Sequence, residues 1–358
     1  MPGNNKEVAW KDSLTSVVLF SAFVLAAFRF SDVFRTRKPS RSSVSCKYQH
    51  AIAQIRLPMQ NADITEIQQV LENDLILEKA VKEVGDTLYV YINAPRDTPK
   101  SYILAYISSI YQRLWDEMAQ HERLNLNCIV TGNVENANFQ DLYQLYDIPY
   151  LEAAYTKDAS FLIVQNKRRA ENGMKLLESP ECPHLPLDNH GMVAGGASYF
   201  FDAQHCQLPL CRRVALGGTF DLLHNGHKKL LTLAASVCAE TLIVGIMGDT
   251  LLKSKKNAHL IAPYAERKYA VSAFLNRLSL TVQAKAELVE LEDPYGPTIT
   301  DASIEGIVVS SETINGAVRI NDIRLGKGMR PLFVFVCRRS DGATLSSTFL
   351  RQRIATHL

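Results

Sequence analysis

The residues best suited to chemistry fall in one eleven-residue string, GGTFDLLHNGH, running from Gly217, Gly218, Thr219 and Phe220 to His224 and His227. Two glycines at the end of a short apolar strand let backbone N–H groups approach phosphate oxygens. The start of the next helix adds unpaired N–H groups and a partial positive charge. Thr219 contributes a hydroxyl donor, and the two histidines, three residues apart, can face one phosphate pocket. A glycine pair alone is a weak signal, and a lone histidine is more often structural. The whole string, set between a strand and a helix, indicates a nucleotide site. Further on, the lysines of KSKK at residues 253–256 offer a phosphate ligand, although each reads as well as a solvated loop residue.

These residues need a scaffold that brings strand ends together. From residue 213 onward, short apolar runs alternate with helical periods. Strands are expected at 214–216, 241–247, 287–291, 306–309 and 332–337, with helices at 226–239, 264–276 and 317–326 and a last helix after Ser346. Such alternation implies right-handed crossovers and a crevice at the carboxyl ends of a parallel sheet. Residues 46–170 also mix extended and helical periods: helices at 64–81 and 101–118, strands at 87–92, 126–130 and 161–164. No motif of known chemistry appears there, so a scaffold or regulatory role outweighs a second active site. Prolines and a glycine pair interrupt residues 171–211, which read as a linker. Its Cys182, His184, His190, His205, Cys206 and Cys211 match no tight paired-ligand spacing, so no metal site is expected. The fold class is thus α/β: a Rossmann-like parallel-sheet domain at 212–358, a smaller α/β domain at 46–170, and an extension at 1–45.

The 39 basic and 37 acidic residues leave a formal charge of +2, which gives no bulk attraction to nucleic acid. Seven cysteines without a compact framework fit free thiols in a reducing, cytoplasmic setting. Residues 13–28 carry no charge but are short for a membrane span, which needs about 20 apolar residues. The run reads equally as a weak membrane anchor or a targeting segment, mitochondrial included, and as an extension without either role.

The first string resembles the HxGH signature of the nucleotidyltransferase superfamily, and LSSTFLR at 345–351 resembles its second signature, (I/L)SSTxxR. The resemblance implies that His224 and His227 bind phosphates at the reacting centre. It also implies that Ser346, Ser347, Thr348 and Arg351 hold the β- and γ-phosphates of ATP; an N-cap role for the serines is compatible. Between the two, LEDPYGPT, VVSSET and INDIRLGKG resemble the archaeal and eukaryotic phosphopantetheine adenylyltransferases. The cytidylyltransferase motif close to RTEGIST is absent. Fungal and animal members of this family also carry a long N-terminal region.

The family's reaction moves AMP from ATP to 4′-phosphopantetheine, with Mg²⁺ bridging the ATP phosphates largely through water. The acceptor phosphate is itself the nucleophile, so no general base is required. Thr219, His227, one lysine of 253–256 (Lys253 by resemblance) and Arg324 are expected to stabilise the transferring phosphate. Gly217, Gly218, Thr219 and Phe220 line the phosphate loop, while Arg267, Asp293 and Tyr295 shape the pocket. The alternatives are an adenylyltransferase using nicotinamide or flavin mononucleotide, and a non-catalytic scaffold of a coenzyme A assembly complex. The animal members' fused kinase needs a P-loop, G-x-x-x-x-G-K-[ST], and no such string occurs in these residues, so a monofunctional protein is expected.

Overall fold

Two parallel sheets share one continuous hydrophobic core in the computed structural model of the protein. The structure describes residues 18–20, 46–58, 64–95, 97–132, 142–182, 210–253, 255, 258–280, 282 and 284–337. Strand β1 (Val18–Phe20) comes from the hydrophobic amino-terminal run. The first domain runs β2 (Tyr48–Arg56), α1 (Ile64–Glu83), β3 (Val84–Asn93), α2 (Lys100–Gln120), β4 (Asn127–Gly132), α3 (Leu142–Tyr146), β5 (Ala153–Tyr155) and α4 (Ala159–Glu171). Its strand order is β4-β3-β2-β5, all parallel. The second domain runs β6 (Cys211–Gly218), α5 (Asn225–Ser236), β7 (Cys238–Met247), α6 (Asp249–Leu252), α7 (Tyr264–Leu278), β8 (Lys285–Leu291), β9 (Gly306–Ser310), α8 (Ile314–Gly326) and β10 (Phe333–Cys337).

Strand β1 joins the second domain's sheet, pairing in parallel with β10 at the edge of the order β1-β10-β9-β6-β7-β8. The rest of residues 13–28 lies outside the described residues. Among the described residues no helix is long and apolar enough to cross a membrane.

Sequence periodicity located nearly every described element of the second domain, because buried parallel strands read as short apolar runs bounded by turn residues. In the first domain it left β2, α3 and β5 unassigned and misread one run. The apolar run FLIV at 161–164, expected as a strand, lies inside helix α4, where the Asp158 carboxylate accepts from the Phe161 N–H at 2.8 Å and caps the helix. Only Leu162 of the run is buried; Ile163 and Val164 are exposed. A run of β-branched residues mimics a strand locally, and the cap together with the one-sided burial overrides it.

The first domain also reaches further than expected. Leu177 and Cys182 are buried in its core, Glu178 pairs with Ala153, and the Arg169 guanidinium donates to the carbonyls of Tyr146, Ile148 and Lys175. Residues 172–182, read from sequence as linker, therefore pack as part of this domain. Cys182 lies in the first domain's core and Cys211 starts β6 of the second. His184, His190, His205 and Cys206 lie outside the described residues.

Candidate active site

Strand order in the six-stranded parallel sheet reverses at β6: strands β7 and β8 follow on one side, β9 and β10 on the other. An open parallel sheet leaves a crevice at such a switch, outside the carboxyl ends of its strands. A cleft of about 790 Å³ occupies it, lined by Leu216, Gly217 and Gly218 at the end of β6, by Thr219 and Phe220 after it, by Gly245 and Met247 of β7, and by Val309 and Ser310 of β9. His224, His227, Lys229 and Lys255 add polar and cationic groups to this wall. That volume lies in the range that takes a nucleotide-sized ligand.

The loop from Gly218 to His224 turns sharply. Phe220 and Leu222 both adopt left-handed backbone, with φ of 52° and 46°. Strain of this kind, of order 1–3 kcal/mol per residue, persists only where the surroundings over-determine it, and it clusters at ligand sites. Two buried groups hold this loop. Arg267, 1% exposed, donates to the Thr219 carbonyl at 2.8 Å, to the Ala262 carbonyl at 2.8 Å and to the Asp249 carboxylate at 2.7 Å. The buried Asp221 carboxylate accepts from the Ala262 N–H at 3.2 Å. Arg267 thus aims Thr219 by its main chain, as a pocket-shaping residue should.

His224 caps α5: its Nδ1 accepts from the Gly226 N–H at 3.1 Å, which leaves Nε2 as the donor nitrogen. Its ring stacks on that of His227, with centroids 4.0 Å apart and planes inclined by 23°. His227 Nδ1 is buried and has no hydrogen-bond partner among the described residues. Burial lowers the His227 pKa to about 4, so the imidazole is neutral at physiological pH and acts through N–H donation rather than fixed charge. The pair sits at the N-terminus of α5, where the helix dipole favours an anion.

Positive charge comes from a different lysine than the resemblance implied. Lys255 lines the cleft and its Nζ donates to Thr219 Oγ1 at 2.6 Å. Lys253 is the exposed C-cap of α6 and does not line the cleft; Ser254 and Lys256 lie outside the described residues. Three lysines within four residues carry no periodicity that could tell them apart, so only the turn after α6 selects Lys255. Lys229, buried and also lining the cleft, escaped the sequence reading. Its only signal is its place two residues after His227 in the first turns of α5. On the ATP-dependent transfer that the resemblance implies, we expect Lys255→Ala to raise the KM for ATP and lower kcat by about 10-fold or more, and Lys253→Ala to stay within about two-fold. Steady-state kinetics on the two variants check it.

Arg324 is the expected catalytic residue that the structure keeps away from the cleft. It is wholly buried and donates to four backbone carbonyls: Arg330 at 2.8 Å, Thr298 at 2.6 Å, Asp301 at 2.9 Å and Ile304 at 3.1 Å. Every one of these bonds serves the fold, so Arg324 is a clamp that ties α8 to the PYGPT turn. Asn321 does the same for Leu332, accepting from its N–H at 2.8 Å and donating to its carbonyl at 3.1 Å. The turn itself is set by Asp293, whose carboxylate accepts from the N–H groups of Tyr295 and Gly296, both at 2.7 Å. Gly296 sits at φ 50°, and a β-carbon there would meet Leu291 Cδ2 at 2.3 Å, so only glycine fits. Tyr295 and Thr298 of this turn face the cleft. Ser346, Ser347, Thr348 and Arg351 lie outside the described residues.

Comparison with known proteins finds its matches over the second domain. The Cytidylyltransferase-like family model matches residues 215–353. A phosphopantetheine adenylyltransferase of Saccharomyces cerevisiae is 44% identical over 145 residues, covering 38% of this chain and 47% of that protein. An uncharacterized protein of Schizosaccharomyces pombe is 37% identical over 152 residues, 39% of this chain and 48% of that protein. A phosphopantetheine adenylyltransferase of Pyrobaculum aerophilum is 39% identical over 145 residues, 39% of this chain and 90% of that protein. The chain therefore spans about half the length of the two fungal relatives and most of the archaeal one.

Proposed function

We propose that this chain, which belongs to the phosphopantetheine adenylyltransferase family, transfers AMP from ATP to 4′-phosphopantetheine, giving dephospho-coenzyme A and pyrophosphate. The observation that carries the reading is the set of donors gathered at the switch-point cleft: Thr219, His224, His227 and Lys255 around one helix N-terminus. These groups bind phosphate, and none of them resembles a general base paired with a nucleophile.

In this reading an oxygen of the acceptor phosphate attacks the α-phosphorus of ATP. The new P–O bond forms as the bond from that phosphorus to the bridging oxygen breaks, and the electron pair leaves with pyrophosphate. The acceptor's second pKa is about 6, so it is largely dianionic at neutral pH and gives up no proton in the step. Catalysis then rests on alignment of two anions and on donors aimed at the α-phosphate. The N–H groups of His224 and His227 and the Lys255 ammonium supply those donors. Mg²⁺ belongs to this proposal as a companion of the ATP phosphates. Among the described residues the one His/carboxylate group of metal-ligand spacing is Glu78, Glu117 and His121, in the first domain, and the cleft presents donors rather than such a cage. The six described cysteines are all free, which supports a reducing, cytoplasmic setting.

The test is pyrophosphate release from the full chain with Mg²⁺, ATP and one acceptor at a time. Rapid release with 4′-phosphopantetheine and little with nicotinamide or flavin mononucleotide is the expected result. Turnover on either mononucleotide at a comparable kcat/KM would reassign the acceptor, and no turnover on any would sink the enzymatic reading.

A further inference from the structure

The signature helix α5 is held between two bodies. One face lies on its own sheet; the other lies against α2 of the first domain, at Tyr111, Trp115 and Met118. Helix α2 is buried well beyond a single stripe, with twelve of its residues out of solvent, because it serves two neighbours. The polar ties fall along one line of α5. Asn225, the residue between His224 and Gly226, donates to the Tyr111 carbonyl at 3.4 Å and contacts Met118 Sδ at 3.5 Å. Lys228, 5% exposed, donates to the Leu126 carbonyl at 3.4 Å. Thr232 shares a 2.8 Å hydrogen bond with the Tyr111 hydroxyl, which also accepts from the Val130 N–H of β4 at 3.2 Å. Positions 225, 228 and 232 repeat at helical spacing, so the first domain grips one stripe of α5 over two turns. At the head of that stripe the Trp115 ring, 2% exposed, meets the His224 ring edge-on at 6.3 Å and 63°. His224 in turn stacks on His227, so three rings run from the first domain into the cleft.

From this we propose that the first domain positions the active site from behind the cleft, with Trp115 as a positioning residue that fixes His224 and, through it, His227. The inference rests on the adenylyltransfer reading and deepens it. Apolar contact with the sheet sets how far α5 stands off, but such contact is non-directional and leaves the helix free to slide and roll by fractions of an ångström. Directional ties on the opposite face remove that freedom. An offset of about 1 Å in a reacting group can cost about 100-fold in rate. The first domain therefore acts on the chemical step without touching substrate.

The experiment uses the full chain and three variants: Trp115→Ala, Trp115→Phe and Tyr111→Phe. For each we would measure kcat, the KM for ATP, the thermal midpoint, and the ¹H–¹³C resonances of the His224 imidazole. The expected result for Trp115→Ala is a kcat lowered by about 10-fold or more at temperatures where the protein is fully folded. Its KM for ATP should stay within about three-fold, and the His224 resonances should move as the indole ring current is lost. Trp115→Phe keeps an aromatic edge and should recover most of kcat, while Tyr111→Phe should lower kcat at unchanged KM. A folded Trp115→Ala with wild-type kcat would overturn the proposal, as would a loss confined to the thermal midpoint. If Trp115→Ala does not fold, the two conservative variants decide, and wild-type kcat with unmoved His224 resonances in both sinks it. If wild-type protein released no pyrophosphate, the adenylyltransfer reading would fail, and the His224 resonances would still report whether Trp115 positions that ring.

Discussion

Replacing His227 with alanine should lower pyrophosphate release by about 100- to 1,000-fold, the usual loss when one preorganised donor to a developing charge is removed. The reason lies in how this imidazole is held. Its Nδ1 is buried without a partner among the described residues, its ring stacks at 4.0 Å on His224, and burial brings its pKa down to about 4. A group kept neutral and stripped of competing hydrogen bonds pays no reorganisation when charge moves onto the α-phosphate. His227→Gln, which retains a neutral N–H donor, should recover part of the loss, while His227→Lys should not, because a flexible cation lacks the ring's fixed geometry. The same pKa has a consequence for pH dependence. With His227 uncharged in the free enzyme down to about pH 4, an acid limb in kcat/KM near pH 6 should come from the acceptor phosphate, whose second pKa is about 6. An acceptor analogue with a lower second pKa should therefore shift that limb, whereas an imidazole-controlled limb would stay in place. For stability the sign is that of any group whose folded pKa is lowered, as for a salt-bridged carboxylate, but in a higher pH window. Since the unfolded histidine, at 6.5, takes up a proton before the folded one, stability is lost as pH falls from 6.5 towards 4.

Arg324→Leu should destabilise the protein by about 3 kcal/mol or more and leave kcat of the remaining folded fraction within a few-fold. The guanidinium satisfies four carbonyls at 2.6–3.1 Å: Thr298 at the end of the PYGPT turn, Asp301 and Ile304 in the segment leading into β9, and Arg330 after α8. Leucine fills much of the volume but leaves buried acceptors unmatched, each costing about 1–3 kcal/mol. Thermal or urea unfolding measures the first part and kinetics per folded molecule the second. A variant of native stability with a kcat collapse would return Arg324 to the catalytic set. Arg324→Lys should not rescue the stability, since one ammonium cannot span four separated carbonyls.

Of the five sequence stretches that carry the family resemblance, the four that lie within the described residues divide along this line. GGTFDLLHNGH supplies the cleft's donors, and VVSSET reaches its wall through Ser310, Glu312 and Thr313. LEDPYGPT forms a turn around Gly296 that presents Tyr295 and Thr298, while INDIRLGKG contributes Asn321 and Arg324 as clamps. A stretch that discriminates one family from another need not touch substrate, because holding the wall that does is equally demanding on residue type.

Sequence alone determined the α/β character of both domains, the parallel sheet of the second, the strand–loop–helix setting of His224 and His227, and the functional weight of that loop. Each of these is local: periodicity, glycine placement and histidine spacing are properties of a few consecutive residues. The tertiary structure decided matters that depend on groups distant in the chain. It selected Lys255 over Lys253 by the path of one turn, and it moved Arg324 from chemistry to architecture by enclosing it among carbonyls. It turned an apolar run at 161–164 from strand to helix through a cap and one-sided burial. It also joined two domains that read as separate along the chain. The contact between Tyr111 and Trp115 on one side and His224, Asn225 and Thr232 on the other spans more than a hundred residues of sequence, and no local pattern encodes a packing partner at that distance.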